Sequence, residues 1–307
     1  MSQPDRSDPA ARAGSTTSRP TVGVIGIGAM GMAMALNLRA RGYAVCSRDV
    51  RPEADAQARA AGITVCPSPQ ALAAQTDIVL VVVVDAAQID DVLFRADGVV
   101  HAVDGTRAVM LCSTIAPQDT QRFAQRLARH GIALIDAPIS GGPARARAGT
   151  MSLMLAAPGA TLAPWQGLFA DLAERRFVAG EAIGDAAKAK LVNNLLAGIN
   201  LVAGAEALAL SEKLGLDPRT MYDLIRASSG ASWIFEDRMA RALSGDYTPA
   251  RAAARILTKD VGLATALAAS VTHATPLGDA ALARLREAVA RGWGDLDDAA
   301  VIRTYQA

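Results

Sequence analysis

Short apolar runs rich in β-branched residues, at 21–25, 44–47, 78–84, 109–112 and 133–135, alternate with segments of helical period at 30–41, 52–61 and 117–130. Such runs predict strands buried on both faces, so the first half reads as an α/β domain with a mostly parallel sheet between helices. Runs at 150–156 and 176–178 extend the sheet, with a helix at 162–172 between them. The pattern then changes. Residues 184–214 contain no proline and little β-branching, and helical periods follow at 218–227, 232–243, 251–270 and 277–291. This predicts an all-helical second domain entered through one long helix, of which 186–213 alone spans about 42 Å. Three parts result: a lead-in at 1–20, the α/β domain at 21–183 and the helical domain at 184–307.

The turn Gly26-Ile27-Gly28-Ala29-Met30-Gly31 lies between the first strand and the first helix, which Gly42 ends, and Asp49 closes the second strand 23 positions after Gly26. Glycines at that spacing let the backbone approach a pyrophosphate at a helix N-terminus, and the carboxylate can accept both hydroxyls of an adenosine ribose. The α/β domain is therefore expected to be Rossmann-type, with Gly26, Gly28, Ala29, Met30, Gly31 and Asp49 holding NAD. Asp49 would repel the 2′-phosphate of NADP. Arg48 and Arg51 flank it and offer that phosphate a partner if the strand ends differently, so NADP is the alternative cofactor.

Composition narrows the partners. Across 307 residues, 31 Lys plus Arg balance 30 Asp plus Glu, and no basic stripe interleaves with aromatics, which argues against nucleic acid. Cys46, Cys66 and Cys112 are widely spaced in apolar surroundings, as reduced thiols of a cytoplasmic protein would be. His101, His130 and His273 share no ligand spacing, so no metal site is expected. Residues 1–20 are polar, rich in Ser, Arg, Ala and Pro, and read as a disordered lead-in without an export signal. No apolar stretch of 18 residues stands out, so no membrane span is expected.

Only four lysines occur, Lys188, Lys190, Lys213 and Lys259. Lys190 and Asn194 are four apart and share one face of the long helix, whereas Lys188 is rotated about 200° from Lys190. In a partly dry cleft such a lysine exchanges a proton with a substrate oxygen and the asparagine fixes that oxygen. The plain alternative is a pair of solvated surface lysines, although Asn193 and Asn194 are poor helix formers between apolar neighbours. Ser140, Gly141 and Gly142 follow a strand at the sheet's carboxyl end, where a hydroxyl and exposed amides suit a carboxylate, or simply make a turn. Ser113 and Thr114 follow another strand and either face the cofactor or cap the next helix.

These stretches resemble the β-hydroxyacid dehydrogenase family over nearly everything from Thr21 onward. The matches are the glycine turn running on to Asn37-Leu38; Asp136-Ala137-Pro138-Ile139-Ser140-Gly141-Gly142 with Ala148-Gly149-Thr150-Met151; the run from Gly180 and Gly184 through Lys190 to Asn193-Asn194; and Leu257-Thr258-Lys259-Asp260-Val261. The resemblance implies Lys190 as the catalytic lysine, excluding Lys188. It further implies substrate contacts at Ser140, Gly141, Gly142 and Asn194, a nicotinamide-side hydroxyl at Ser113 or Thr114, and Lys259 closing over the cofactor. Ala186 departs from the pattern, standing where the family has a third glycine, and its methyl would narrow the approach to the cleft. Residues 228–233 with Arg238, and 297–302, lean toward the threonate-like and sugar-acid members.

The expected reaction moves a hydride between a small carboxylic hydroxy acid and NAD or NADP, with Lys190 as general acid/base. Two rivals stand beside it: an imine reductase of the same fold, which has less need of the lysine, and a non-catalytic dinucleotide sensor, which has none. Small and apolar residues between Leu195 and Leu210, including Gly198 and Gly204, suggest close helix packing that extends between subunits of a homodimer or homotetramer.

Overall fold

Strand β1 (Val22–Ile25) is buried at every position because both faces of the sheet are covered, and the same holds for β4 (Ile78–Val81) and β5 (Ala108–Leu111). In this computed structural model, which describes residues 19–306, nine strands form one sheet. The expected lead-in lies largely outside the described residues, at 1–18. Its last part is anchored, since Arg19 pairs with Asp171 at 2.5 Å and lies over the Tyr43 ring.

Around β1 the α/β domain places α1 (Ala29–Ala40), β2 (Val45–Arg48), α2 (Pro52–Ala60), β3 (Thr64–Val65), α3 (Pro69–Ala73), β4, α4 (Ala86–Phe94), β5, α5 (Pro117–Ala128), β6 (Ala133–Asp136), β7 (Ile139–Ser140), α6 (Gly142–Ala148), β8 (Met151–Ala156), α7 (Gly159–Leu162), α8 (Gln166–Leu172) and β9 (Ala173–Gly180). The strand order is β3-β2-β1-β4-β5-β6-β8-β7, with β9 also on β8. Pairing is parallel from β3 to β6, whereas β8 runs antiparallel to β6 and β7. The sheet is thus mostly parallel, as expected. Two apolar cores cover its faces, one built on Met34, Leu38, Met110 and Phe169, the other on Leu72, Leu93, Phe123 and Leu127.

Differences from the sequence reading have local causes. The helix expected at 162–172 is broken by Pro164 into α7, a 3₁₀ turn at Ala163–Trp165 and α8. The strand expected at 78–84 ends at Val81. Helices α3 and α4 were not anticipated, yet each has a side-chain cap: Ser68 accepts from the Ala71 N–H and Asp85 from the Gln88 N–H.

The second domain is helical throughout: α9 (Asp185–Lys213), α10 (Pro218–Arg226), α11 (Trp233–Ser244), α12 (Ala254–Ser270), α13 (Pro276–Ala288), then a π turn at Val289–Trp293 and a 3₁₀ helix at Asp298–Thr304. Its core, with Leu201, Phe235, Met239, Val261 and Leu285, packs on one side of α9. The expectation that no long apolar stretch occurs needs correction. An 18-residue window of α9 has mean hydropathy 1.4, enough in length and composition to cross a membrane, but half of it is buried within the protein. Gly198 and Gly204 face inward. A Cβ there would lie 2.5 Å from Val261 or 2.8 Å from Phe235, so these glycines serve packing inside the chain and not between subunits.

Candidate active site

The glycine turn is built for close approach. Gly26 has φ +94°, and a Cβ on Gly31 would sit 1.9 Å from the Gly26 carbonyl oxygen, so neither the turn at Gly26 nor the third residue of α1 admits a side chain. Gly28 is open, with only the Arg51 guanidinium within 4 Å of a Cβ placed there. The N-terminus of α1 has no side-chain cap and no acidic residue in its first turn, which leaves the leading N–H groups, including those of Ala29, Met30 and Gly31, for an anion. A groove of about 510 Å³ begins at Gly28 and Ala29 and runs past Arg51 and Glu53 to Arg147.

Asp49 is buried at the end of β2. Its carboxylate accepts from the Ile27 N–H at 2.7 Å, from the Arg51 N–H at 2.9 Å and from the Arg51 guanidinium at 3.0 and 3.1 Å. Burial works against its charge, yet the Arg51 guanidinium and these N–H donors hold the carboxyl below its usual range. Arg48 turns the other way and pairs with Asp55 at 2.9 Å. The two flanking arginines are thus both engaged by carboxylates.

Ser113 is buried, and its hydroxyl has no hydrogen-bond partner among the described residues. The cap alternative fails for it and for Thr114, because α5 begins at Pro117 with Ala116 at its cap position and no side-chain cap. Thr114 is tied through its backbone instead, its carbonyl accepting from the Lys259 ammonium at 2.6 Å. An unpartnered buried hydroxyl, an uncapped helix start and an open glycine are the features a dinucleotide needs.

The long helix is held at its start by a carboxylate. Asp136, at the end of β6, accepts from the N–H groups of Gly184 and Ala187 at 2.9 and 3.0 Å and so caps α9 from another strand. The same residue opens the loop to Ser140, which in β7 lies opposite Ser152 of β8, and to Gly141 and Gly142, both at positive φ. The loop at Ser140–Gly142 and the start of α9 therefore share one anchor. Burial pushes the Asp136 carboxyl up to about 6 against the pull of these N–H groups. Ala186 is fully buried in this junction, so its methyl fills packing space and does not narrow an open approach.

On α9 the two lysines separate as their spacing predicts. Lys188 is exposed and pairs with Asp185 at 2.9 Å, whereas Lys190 is buried, 7% exposed. Burial, countered by Asp260 and aided by Lys259, lowers the Lys190 ammonium to about 8. Asn194, also buried, donates to Asp260 at 2.7 Å, and its carbonyl oxygen accepts from Asn193 at 3.0 Å. One N–H of the Asn194 amide stays uncommitted. Asp260 is the residue whose part the sequence reading missed, although it directly follows Lys259. Its other oxygen lies 2.8 Å from the Lys259 ammonium, so one carboxylate joins α9, α12 and, through Lys259, the loop after β5. Among the described residues no three His, Cys, Asp or Glu side chains are grouped to hold a metal ion.

Comparison with known proteins agrees with this architecture. Residues 21–180 match the model for the NAD binding domain of 6-phosphogluconate dehydrogenase, and residues 184–305 match that for the NAD-binding domain of NADP-dependent 3-hydroxyisobutyrate dehydrogenase. L-threonate dehydrogenase of Cupriavidus necator is 39% identical over 92% of this chain and 95% of its own length. 3-Hydroxyisobutyrate dehydrogenase of Pseudomonas aeruginosa is 33% identical, covering 86% and 89% respectively. A solved 3-hydroxyisobutyrate dehydrogenase from Salmonella typhimurium superimposes with a TM-score of 0.87 at 35% identity, over 92% of this chain and 99% of that one.

Proposed function

Because the chain belongs to the β-hydroxyacid dehydrogenase family and is an NAD(P)-dependent oxidoreductase of small hydroxy acids, we propose that it oxidises a threonate-like sugar acid, that NAD is its preferred cofactor and that Lys190 carries the proton. The observation behind this reading is a lysine ammonium desolvated to a pKa of about 8, one helical turn from an amide with an uncommitted N–H. The identity to L-threonate dehydrogenases, higher than to 3-hydroxyisobutyrate dehydrogenase, favours the sugar-acid substrate.

The bound nicotinamide supplies the hydride acceptor. In oxidation, neutral Lys190 takes the hydroxyl proton at Nζ, and in reduction the ammonium returns it. Asn194 donates its remaining N–H to the reacting oxygen. The Ser140 hydroxyl and the amides of Gly141 and Gly142 hold the carboxylate, so that the carbon bearing hydrogen faces the nicotinamide. Ser113 or Thr114 meets the nicotinamide side, and Lys259, on Thr114, closes over it. In this reading residues 21–183 hold the cofactor and 184–307 supply the substrate face and the subunit contact of a homodimer or homotetramer. Its three free cysteines suit a reducing compartment, and we place it in the cytoplasm.

The test is the initial rate at 340 nm with NAD and NADP across L-threonate, D-threonate, D-glycerate and 3-hydroxyisobutyrate, with Lys190→Ala alongside. Turnover of L-threonate that falls at least about a hundredfold in the variant supports the reading. Equal turnover in the variant removes the lysine from the chemistry, and turnover of imines but no acid turns the assignment to an imine reductase.

A further inference from the structure

Among the described residues, every buried or half-buried arginine except one has a partner within the fold. Arg48, Arg95, Arg126, Arg238, Arg241 and Arg284 each meet a carboxylate, and Arg303 lies over the Trp293 ring. Arg145 is the exception. It is half-buried, yet among the described residues it has neither an ion pair nor an aromatic ring. Charged side chains drawn out of water are as a rule paired, so Arg145 marks a place where an anion is expected from outside the chain.

Its position says which anion. Arg145 lies on α6 four residues after Gly141, the cap residue of that helix, so the two share a face. Helical side chains lean toward the start of their helix, and this one does: its Cβ and Cδ lie 3.3 and 3.1 Å from where a Cβ on Gly141 would stand. The arginine stem therefore packs on the bare Gly141, and the guanidinium, which begins one bond beyond Cδ, belongs to the Ser140–Gly142 loop. Arg147 takes the other side of α6 and lines the groove that begins at Gly28 and Ala29.

In the reading given above, the donors that hold the substrate carboxylate, the Ser140 hydroxyl and the Gly141 and Gly142 amides, are all uncharged. The other cations of the site are committed elsewhere. Lys190 is neutral when it takes the hydroxyl proton, Lys259 is paired with Asp260 and Arg51 with Asp49. A guanidinium has the forked donors that match a carboxylate. We propose that Arg145 binds the substrate carboxylate at the Ser140–Gly142 loop and so makes the site prefer anionic hydroxy acids to their uncharged amides. The proposal rests on the reading of that loop as the carboxylate holder. The cofactor pyrophosphate is the other anion at hand, but its place is the start of α1, on the side of Arg147.

The experiment is calorimetry of L-threonate, 3-hydroxyisobutyrate and their amides into the enzyme–NADH complex, where reduced cofactor and reduced substrate cannot react. Wild type, Arg145→Ala, Arg145→Lys and Lys190→Ala are compared. Wild type should bind an acid at least about tenfold tighter than its amide. Arg145→Ala should weaken the acid about ten- to hundredfold, the worth of one charge-assisted contact, while the amide and NADH stay within about twofold. Arg145→Lys keeps the charge without the fork and should fall between. In turnover the loss should appear in KM, with kcat little changed. Acid affinity unchanged in Arg145→Ala would overturn the proposal, as would an equal loss for acid and amide, or a parallel loss of NADH that puts the arginine on the pyrophosphate. Undiminished turnover in Lys190→Ala, with acid binding still lost in Arg145→Ala, would remove the lysine from the chemistry and support the arginine's role. A wild type that binds neither acid would overturn both.

Discussion

The side-chain amide of Asn194 donates a 2.7 Å hydrogen bond to a buried oxygen of Asp260, whose other oxygen lies 2.8 Å from the ammonium of Lys259. The asparagine expected to hold the substrate oxygen is thereby oriented by the residue next to the lysine expected to close over the cofactor. The same carboxylate opposes the desolvation of Lys190, while Lys259 adds to it.

Removing the charge on Asp260 should therefore show in the pH profile of the reaction. Asp260→Asn leaves Lys190 with burial and the Lys259 charge but no anion, so its pKa falls. The midpoint of the rise in kcat for hydroxy-acid oxidation should move below about 8, and kcat itself should fall about tenfold as the Asn194 amide loses a charge-assisted partner. A merely structural Asp260 would lower the rate without moving the midpoint, which rate measurements from pH 6 to 10 distinguish.

Lys190 itself links activity to stability with opposite signs. Its native pKa of about 8 lies below its ordinary 10.5, so between those values the unfolded chain binds more protons than the native one, and stability contributed here rises with pH. The burial cost is fully present below about pH 8, where it amounts to an upper bound of about 3 kcal/mol. Lys190→Met should lose at least about a hundredfold in turnover and yet resist urea better at pH 7, by about 1–3 kcal/mol. Hydroxy-acid oxidation by the wild type should rise through about pH 8 and keto-acid reduction should fall through it.

Asp136 joins the loop at Ser140–Gly142 to the start of α9, and its loss should be felt in both. Asp136→Ala strands the Gly184 and Ala187 N–H groups in a buried junction, at a cost of roughly 2–4 kcal/mol. Asp136→Asn retains one acceptor oxygen and should lose less. The native carboxyl titrates near 6, above the ordinary 3.8, so its stabilising share is fully present below about pH 4 and declines as pH rises to about 6. Urea melts should show wild type gaining on Asp136→Asn as pH falls through that window; parallel curves would mean that the carboxyl is not held there.

Much of this arrangement was legible in the sequence because it depends on local pattern. The glycine turn declared itself by spacing, and helical geometry put Lys190 and Lys188 on different faces, although it took the family resemblance to choose Lys190; the structure buries Lys190 and pairs Lys188 with Asp185. What was hidden depends on contacts across long separations. Nothing near Asp136 in sequence tells that it caps a helix 48 residues later, and Asp260 was read only as part of the motif around Lys259 until α12 set it against Asn194. The short elements α3, α6, β3 and β7 carry too few residues for a period to emerge. The reversal of β8 against β6 follows from how the chain doubles back through β7, which no run of apolar residues records.

The proposed preference for NAD rests on the Asp49–Arg51 pair. In the structure Arg51 is not a free cation awaiting a phosphate; it is bound to both oxygens of Asp49, beside the open Gly28. A ribose with two hydroxyls leaves that pair intact, with the carboxylate as their acceptor, whereas a 2′-phosphate would bring two negative charges against a buried carboxylate. Asp49→Ser removes the repulsion and releases the Arg51 guanidinium to pair with the phosphate. One such charge-assisted contact is worth about 1.5–3 kcal/mol, so the NADP to NAD ratio of kcat/KM should rise by about ten- to hundredfold. Arg51→Ala added to Asp49→Ser should cancel most of that gain by taking away the phosphate's partner. A ratio that rises equally in both variants would place the phosphate on another cation, with Arg48, now held by Asp55, the nearest in sequence.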